Sequence, residues 1–222
     1  MSKGTLIVID GLDGTGKSTQ LQLLSDLLTS KGIKHKTISF PDYGHQSSAL
    51  IKLYLSGKLA TNAEGVNAYA ASSFYAVDRY ASYKLFWESE YNDGGLIIAG
   101  RYVSSNAIHQ MSKLPENEWD TYLKWLEEYE YDKLGLPKPD KTILLHMPIE
   151  VSQRLLEERY NGDTLSKDIH EADIKYLQSC ERSASYAAKH LKWDVVECSD
   201  GTNPYPREEI LARIVNALSI IN

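Results

Sequence analysis

Nine residues near the amino terminus have the types and spacing of a loop that binds phosphate. The stretch GLDGTGKST, Gly11 to Thr19, matches the pattern G-x-x-x-x-G-K-[ST] in full. Glycines let such a backbone curl so that its N–H groups face one anion, and the positive end of the following helix adds to the attraction. We expect Lys17 to reach the β and γ phosphates of a nucleoside triphosphate, and the Ser18 hydroxyl to bind Mg²⁺. The residues expected to hold the nucleotide are Gly11, Gly14, Thr15, Gly16, Lys17, Ser18 and Thr19.

The sequence on either side of this loop favours a binding function over a glycine-rich structural turn. An apolar run from Thr5 to Asp10 precedes it and is typical of a buried strand. Leu21, Leu24 and Leu28 follow it at helical spacing, and Gly32 is a plausible end for that helix. The order of strand, loop and helix therefore predicts a P-loop that binds a nucleoside triphosphate with Mg²⁺, although the loop alone does not name the acceptor of the phosphate.

The elements that must position this loop alternate along the chain. Five short apolar or alternating runs predict strands at Thr5 to Asp10, Lys36 to Phe40, Leu96 to Ala99, Thr142 to His146 and Asp194 to Cys198. Segments of helical periodicity separate them, and the last of these opens after Pro206. Parallel crossovers follow from this alternation. We predict an α/β fold of the P-loop type, a three-layer sandwich in which helices cover both faces of a five-stranded, mainly parallel sheet.

Composition bounds the class of protein. A chain of 222 residues, 42% of them hydrophobic, can form one core, and we expect a single domain over residues 1–222. The 24 basic and 30 acidic residues give a net charge of −6, which offers no general attraction for nucleic acid or an anionic membrane. Two cysteines suit a reducing compartment, and the start MSKGTLIVIDG has too short an apolar run for a signal peptide. We expect a cytoplasmic protein with no partner among membranes or nucleic acids.

Three further stretches carry polar or aromatic residues after predicted strands or on a predicted helix. FPDYG, Phe40 to Gly44, reads first as a turn. In SFYAVDRY, Tyr75 and Arg79 are four residues apart and therefore share one face of the predicted helix. The tyrosine ring could stack on a base while the guanidinium binds the carbonyl edge of that base. The plainer alternative is a core aromatic residue beside a surface ion pair. The stretch RYVSSNAIH follows the third predicted strand and contains Arg101, Ser105, Asn106 and His109. Open α/β sheets bind ligands just beyond the carboxyl ends of their strands.

The order of these motifs is more specific than any one of them. The P-loop, FPDYG, YAVDR, RYVSSNA, GLPKPD and a late HEADIKYL occur in sequence at intervals that span nearly the whole chain. This arrangement resembles the thymidylate kinase family. The resemblance implies a nucleoside monophosphate kinase that moves the γ-phosphoryl group of ATP to dTMP, with Mg²⁺ as cofactor, and it also implies a homodimer formed through helices.

The resemblance also assigns roles to particular side chains. Asp13 matches the acid that engages the 3′-hydroxyl of the acceptor, Tyr43 a position near the monophosphate, and Arg101 the arginine that binds the acceptor phosphate. Tyr75 stands where the family usually has a phenylalanine stacked on thymine, and Arg79 where an arginine meets O4 of the base. Ser105 and Asn106 match residues that line the nucleoside pocket, and His109 falls at a pocket position. Aromatic stacking of this kind contributes about 1–3 kcal/mol per base.

A lid is implied over approximately residues 154–170. Members of the family that lack an arginine inside the P-loop tend to carry cations in the lid, and here Gly14 and Thr15 leave the loop without one. Arg154, Arg159 and Lys167 are the candidates, Arg159 foremost, because a closing lid excludes water and brings positive charge to the transition state. Lys17, Asp13, Arg101 and Arg159 are thus the expected catalytic residues, while a solvated helix end is the plainer interpretation of Arg154 to Lys167.

Three positions depart from the family pattern. Family members usually have Asp-Arg-[Tyr or His] where this chain has Gly100-Arg101-Tyr102, and that aspartate is usually associated with magnesium, its waters or the reacting phosphates. His146 replaces an aspartate at the end of a strand, and His109 replaces an aromatic pocket residue. The role of the missing acid would pass to Asp10, Asp13, a water or the triphosphate. Because phosphoryl transfer depends mostly on positioning and charge, we still expect an active enzyme.

Two other functions stay open from the sequence. Tyr75 and His109 could reshape the base pocket for another deoxynucleoside monophosphate, and Gly100 with His146 could mark a nucleotide-binding protein that has lost catalysis. The acidic, aromatic run from Asn117 to Asp132 could be a partner surface. Its helical spacing instead favours an inward face, with the glutamates in water. The residues of that face are Trp119, Tyr122, Leu123 and Leu126.

Overall fold

One parallel sheet organises the part of the chain that the computed structural model describes, residues 3–60, 62, 65–159 and 174–218. Its strand order is β2-β3-β1-β4-β5, and each neighbouring pair is parallel. The strands are β1 (Thr5–Gly11), β2 (His35–Ser39), β3 (Leu96–Gly100), β4 (Lys141–His146) and β5 (Asp194–Glu197). The predicted fold is confirmed, and each predicted strand end lies within one residue of the observed one.

Helices connect the strands on both faces. They are α1 (Lys17–Ser30), α2 (Ala49–Leu55), α3 (Ala68–Ser82), α4 (Glu88–Asn92), α5 (Val103–His109), α6 (Trp119–Glu127), α7 (Ile149–Arg159), α8 (Ile174–Leu191) and α9 (Arg207–Leu218). Two π-helical turns extend α3 and α6, at Tyr83–Trp87 and Glu128–Lys133. Gly32 stands directly after the end of α1 with φ of 70°, as the sequence predicts for a glycine that ends a helix.

The two faces of the sheet bury alternate residues of each strand, because successive side chains of a strand point to opposite sides. Ile7 and Ile9 of β1 pack with α1 and α9, whose inward residues include Leu24 and Ile214. Leu6 and Val8 face the other layer, which contains side chains of α5 and α6. The leucines at positions 21, 24 and 28 form the predicted buried face of α1.

The carboxyl ends of β1, β3 and β4 meet at one edge of the sheet. Ile9 pairs with Gly100, and Gly11 pairs with Leu145. The P-loop leaves β1 at this edge and enters α1, while Arg101 leaves β3 and leads into α5. The motifs from the amino-terminal and central parts of the sequence are therefore neighbours in space.

The acidic, aromatic run is a packing helix that continues into a π-helical turn. Trp119, Tyr122, Leu123 and Leu126 are all buried, as their spacing predicts. The expectation that the glutamates of this run lie in water is wrong for Glu130, whose exposure is 0% because it is paired with a buried arginine.

Within the described ranges, no helix combines the length and the apolar character required to cross a membrane.

Candidate active site

The P-loop has a backbone that glycine alone adopts without strain. Gly14 has φ of 81°, and a Cβ built there would lie 2.5 Å from the carbonyl oxygen of Ser152 on α7. Gly11 approaches the carbonyl oxygen of Leu145 equally closely, and Gly16, with φ of 88°, stands at the start of α1. These close approaches hold the loop between β4, α7 and α1, so that its backbone is shaped before any nucleotide binds.

An open cleft of about 590 Å³ lies over this loop. Its floor includes residues 13–20, which contain the predicted phosphate-binding residues Gly14, Thr15, Gly16, Lys17, Ser18 and Thr19, while Gly11 lies outside the lining. Arg101 reaches the cleft from the end of β3, and Leu155, Leu156 and Glu158 contribute from α7. Size and shape suit a nucleoside triphosphate whose phosphates meet the start of α1.

The cleft also contains residues that motif reasoning missed. Tyr205 and Arg207 line it from the segment that joins β5 to α9, and the guanidinium of Arg213 lies 4.1 Å from the centre of the Tyr205 ring. Gln20 donates to the carbonyl oxygen of Arg207 at 3.0 Å and ties this segment to α1. Their position at the cleft could have been predicted from topology, because this segment follows a strand that ends at the same edge of the sheet.

One carboxylate oxygen joins two cations at the centre of the site. Lys17 Nζ lies 3.5 Å from Asp13 Oδ1 and donates to the carbonyl oxygen of Leu12 at 2.6 Å. A guanidinium nitrogen of Arg101 contacts the same Asp13 oxygen. Lys17 belongs to the loop that is expected to bind the donor phosphates, and Arg101 to the segment that is expected to bind the acceptor phosphate. Asp13 therefore stands at the junction between the two expected substrate positions.

These contacts set the charges of the three groups. Burial alone would raise the pKa of Asp13, but Arg101, Lys17 and His109 outweigh it and hold that pKa well below its usual range. Burial and the positive charge of Arg101 lower the pKa of Lys17 to about 8, against the attraction of Asp13 and Asp10. Burial would lower the pKa of Arg101, yet Asp13 and Asp10 raise it above its usual value. Asp13 and Arg101 are thus ionised at neutral pH, and Lys17 is close to its titration range.

Arg101 is held in an uncommon backbone conformation. Its φ is 64°, and its N–H continues the sheet pairing by donating to the carbonyl oxygen of Ile9 at 3.0 Å. Arg101 Nη1 lies 3.2 Å from His109 Nε2. A guanidinium donates and cannot accept, so Nε2 of His109 is the acceptor of this bond. Two of the predicted acceptor residues, Asp13 and His109, therefore contact the Arg101 guanidinium directly.

The segment that carries Tyr43 is fixed by an aspartate that the sequence argument did not single out. Asp78 is buried, accepts from the backbone N–H of Asp42 at 2.8 Å, and accepts from the Ser47 hydroxyl at 2.5 Å. Lys52 donates to the carbonyl oxygen of Tyr43 at 2.7 Å, and the peptide bond before Pro41 is cis. Asp78 lies inside the YAVDR motif, beside Arg79, so the motif positions one loop as well as presenting side chains.

Asp10 is buried at the end of β1 and holds neighbouring elements together. Its exposure is 0%, and its oxygens accept from Ser104 at 2.6 Å, from Ser105 at 2.7 Å and from the N–H of Gly11 at 2.8 Å. These bonds join the end of β1 to the start of α5. Asp10 does not line the cleft, and the idea that it takes over the role of the missing acid stays a prediction. The hydroxyl of Ser105 is directed to Asp10, and its predicted contact with the nucleoside stays a prediction.

Arg79 and Asn106 differ most from their expected presentation. Arg79 has 1% exposure and forms a bidentate pair with Glu130, with both N···O distances at 2.6 Å. Its Nη1 donates to the carbonyl oxygen of Tyr102 at 3.2 Å. Asn106 Nδ2 donates to Glu130 at 2.9 Å. The sequence suggested either a guanidinium presented to a base or an ion pair at the surface, whereas the observed ion pair is buried. The predicted contact between Arg79 and O4 of a base stays a prediction.

Gly100 and His146, two departures from the family pattern, each have close neighbours. A Cβ built on Gly100 would lie 2.8 Å from Leu21 Cδ2 and 3.3 Å from Ser39 Oγ, so a side chain there requires the end of the Leu21 side chain to shift. His146 Nδ1 lies 2.7 Å from a carboxylate oxygen of Glu197, and Nε2 lies 3.6 Å from Glu181. His146 is thus part of a cluster with β5 and α8.

The lid prediction falls largely outside the described residues. Lys167 and the side chain of Arg159 are not described, and α7 ends at Arg159. Arg154 is exposed and donates to the carbonyl oxygen of Thr202 at 2.7 Å.

A magnesium ion fits this site through few protein ligands. Among the residues whose placement is described, there is no group of three histidine, cysteine, aspartate or glutamate side chains able to hold a metal ion. Mg²⁺ at nucleotide sites commonly keeps several waters and binds one or two protein oxygens together with substrate phosphates. The exposed Ser18 hydroxyl in the cleft, with the Asp13 carboxylate nearby on its floor, is a donor set of that kind.

Comparisons with known proteins agree with one another. A family model described as thymidylate kinase matches residues 9–205. The thymidylate kinase of Mycobacterium tuberculosis strain H37Rv is 32% identical over 175 residues, which is 78% of this chain and 80% of the relative. The thymidylate kinase of Schizosaccharomyces pombe is 26% identical over 224 residues, covering 100% of this chain and 94% of the relative. A solved thymidylate kinase from Candida albicans has the same fold, with a TM-score of 0.71 at 22% identity over 99% of this chain and 93% of that one.

Titration of Lys17 predicts that ATP binds less tightly at high pH. The pKa of Lys17 is about 8, and the negative charge of bound phosphates would raise it. Lys17 is therefore charged in both states below pH 7, whereas above pH 8 the free enzyme has lost the proton that the complex needs. Binding should take up a proton there, with affinity about tenfold weaker at pH 9 than at pH 7. Calorimetry in two buffers of different ionisation enthalpy measures both effects.

The Lys17→Arg variant is the matched control, since a guanidinium stays charged throughout this range. Its affinity for ATP should change little between pH 7 and pH 9. An affinity of the wild-type protein that is equally flat over this range, without proton uptake, would contradict the assigned role of Lys17.

Proposed function

The chain belongs to the thymidylate kinase family, and from this premise we propose how its residues carry out the reaction. The enzyme is a nucleoside monophosphate kinase that transfers the γ-phosphoryl group of ATP to dTMP and so forms dTDP. The observation that carries our assignment of residues is the Asp13 carboxylate between Lys17 and Arg101. It places a cation for the donor phosphates and a cation for the acceptor phosphate within reach of one another.

On the donor side, the N–H groups of the P-loop and the start of α1 face the β and γ phosphates. Lys17 leaves its bonds to Leu12 and Asp13 and binds those phosphates, because their charge exceeds that of a single carboxylate. The Ser18 hydroxyl would hold Mg²⁺, and the bound ion would supply positive charge to the phosphates. The cleft walls at Tyr205 and Arg207 hold the nucleoside end of ATP.

On the acceptor side, Arg101 binds the monophosphate of dTMP and Tyr43 closes over it from the opposite loop. Asp13, freed from Arg101, accepts a hydrogen bond from the 3′-hydroxyl, for which an ionised carboxylate is suited. Tyr75 stacks on the base. The direct contact of Asp13 with Arg101, and the place of both residues in the lining of the cleft, support the assignment for these two residues. In-line transfer then depends on holding two phosphates in contact under positive charge.

The acid that the family has beside Arg101 is dispensable in this arrangement. Asp13 lines the cleft and is the described carboxylate that best fits an outer-sphere contact with magnesium waters, whereas Asp10 is enclosed by serines. Arg159, from the end of α7, is our candidate for the cation that approaches the transferring group.

We further propose a single catalytic domain over residues 1–222 that works in the cytoplasm as a homodimer. The two apolar clusters share one sheet, which supports a single domain. Cys180 and Cys198 are both buried and outside any disulfide, as suits a reducing compartment.

Support for a dimer comes from apolar side chains exposed on neighbouring elements. These are Leu50 and Leu53 on α2, Val77 and Tyr80 on α3, and Leu85 and Phe86 in the turn after it.

The acceptor is tested with Mg-ATP and a set of monophosphates: dTMP, dUMP, dCMP, dGMP and AMP. We expect dTDP to form with kcat/KM at least tenfold above that of dCMP, dGMP or AMP, since a directional contact to one base edge contributes about 1–3 kcal/mol of discrimination. The Lys17→Met variant should form at least a hundredfold less product, which shows that the activity belongs to this site. ATP binding without conversion of any monophosphate would refute the enzyme, and preference for another acceptor would refute the assigned substrate.

Replacing Gly100 by aspartate is expected to give no gain in turnover. The new Cβ would require the end of the Leu21 side chain to shift, at a cost of about 1 kcal/mol in the free energy of unfolding, the low end for overpacking. We expect kcat at or below that of the wild type and a lower midpoint of thermal unfolding. Gly100→Ala introduces the same Cβ without charge and separates packing from electrostatics. Turnover of the aspartate variant clearly above the wild type would show instead that the missing acid is a true deficit.

The dimer is tested by a charge on its proposed face. Val77 is 50% exposed on α3, and Val77→Lys should convert a dimer into a monomer in sedimentation experiments, because a buried lysine at the interface would lack a partner. Val195, also 50% exposed but on β5, provides the matched control, and Val195→Lys should leave the dimer intact. A wild-type protein that sediments as a monomer at all concentrations tested would exclude this assembly.

A further inference from the structure

Glu130 is a buried carboxylate that the reaction described above does not use. It lies in the π-helical turn after α6, with 0% exposure, and accepts three hydrogen bonds. Two come from Arg79 and one from Asn106, both of which the family resemblance places at the nucleoside pocket. We propose that Glu130 is a positioning residue that sets the base preference of the acceptor site by fixing Arg79 and Asn106 from behind. This inference rests on the proposed function and names a determinant of its specificity.

Charge and burial show why Glu130 governs Arg79. The guanidinium and the carboxylate are 1% and 0% exposed, so neither has water as an alternative partner. Burial would lower the pKa of Arg79, and Glu130 outweighs that effect and raises it. A buried pair of this kind costs much to desolvate, and removing one partner leaves the other charge uncompensated. The orientation of the Arg79 guanidinium is therefore dictated by the two oxygens of Glu130.

The same carboxylate fixes the direction of the Asn106 amide. Asn106 Nδ2 donates to Glu130 Oε1 at 2.9 Å and to the carbonyl oxygen of Ser72 at 3.2 Å. Both neighbours can only accept, so the amide nitrogen must face them and the assignment of N and O is determined by chemistry. Both N–H bonds of the amide are thus committed to the protein. Oδ1 is the polar atom of Asn106 left for a ligand, and it can only accept.

Arg79 offers hydrogen-bond donors, whereas Asn106 offers an acceptor. A guanidinium has five N–H bonds, and the three described hydrogen bonds leave one N–H on Nη1 and one on Nη2. A pocket that presents a donor from Arg79 and an acceptor from Asn106 matches the thymine edge, where O4 accepts and N3–H donates. Cytosine reverses both groups, since N4 donates and N3 accepts. Glu130 therefore enforces a polarity that favours a keto base over an amino base.

The pair also reaches the phosphate end of the acceptor site. Arg79 Nη1 donates to the carbonyl oxygen of Tyr102, the residue after Arg101. Tyr75 lies one turn before Arg79 on α3. Glu130 is thus connected through Arg79 to both the expected stacking ring and the segment that carries the phosphate-binding arginine.

Replacing Glu130 by glutamine tests this role. Glutamine keeps the shape but offers one acceptor and one donor to a site that supplies only donors, so at least one of the contacts that fix Arg79 and Asn106 is lost. We expect the ratio of kcat/KM for dTMP over dCMP to fall at least tenfold in Glu130→Gln, mainly through a higher KM for dTMP, while the KM for ATP changes less than twofold. Glu127→Gln is the matched control, because Glu127 lies three residues earlier and pairs with exposed Lys138. It should retain the wild-type ratio.

A merely structural role would lower the active fraction for all acceptors alike and leave the ratio unchanged, and that outcome would overturn the proposal. Should Glu130→Gln fail to fold, Glu130→Asp supplies the test, since it keeps the charge but is too short to hold Arg79 and Asn106 together. It should reduce the same ratio at least threefold, and an unchanged ratio would again overturn the proposal. The activity of the wild-type protein separates the two hypotheses. If the wild-type protein does not phosphorylate dTMP, the proposed function is refuted. If it does, and the variants keep its ratio of kcat/KM for dTMP over dCMP, only the role of Glu130 is refuted.

Discussion

The contact of one Asp13 oxygen with both Lys17 and Arg101 is the interaction on which the rest of the site depends. Two cations held close together in a partly buried cleft would repel each other, and the carboxylate between them makes their proximity possible. In the proposed mechanism, Lys17 and Arg101 bind the donor and acceptor phosphates, and these phosphates replace the Asp13 carboxylate as partners of the two cations.

The surrounding fold holds this network through two further buried carboxylates. Asp10 receives two serine hydroxyls and the first N–H of the P-loop, and so joins β1 to α5. Glu130 receives Arg79 and Asn106, and so joins α3 and α5 to the turn after α6. Neither group is placed for chemistry at a phosphate. Each instead fixes an element that carries a reacting or recognising residue, which is how a flexible side chain such as Arg101 acquires a defined position.

Much of this architecture can be predicted from the sequence, because strands and the P-loop depend on residues that are close together in the chain. Strand positions follow from apolar runs, and the P-loop from glycines whose backbone no other residue adopts freely. The partners of Arg79 were not readable, because Glu130 stands in an acidic run that looks solvated and its burial depends on a tertiary contact 51 residues away. The bonds of Asp10 were not predictable for a similar reason, because only the fold shows that two serine hydroxyls donate to it. The vacancy at Gly100 likewise became interpretable once Leu21 was seen beside it.

A crystal structure with a bisubstrate inhibitor, adenosine and thymidine joined by five phosphates, tests the central claim most directly. The account predicts that Arg101 leaves Asp13 and binds the thymidine end, that Lys17 leaves Leu12 and binds the adenosine end, and that Asp13 turns to the 3′-hydroxyl, each with contacts of about 2.7–3.2 Å. The pair of Arg79 and Glu130 should persist with the base against it. A complex in which Arg101 and Lys17 still contact Asp13, with the phosphates held elsewhere, would contradict the account.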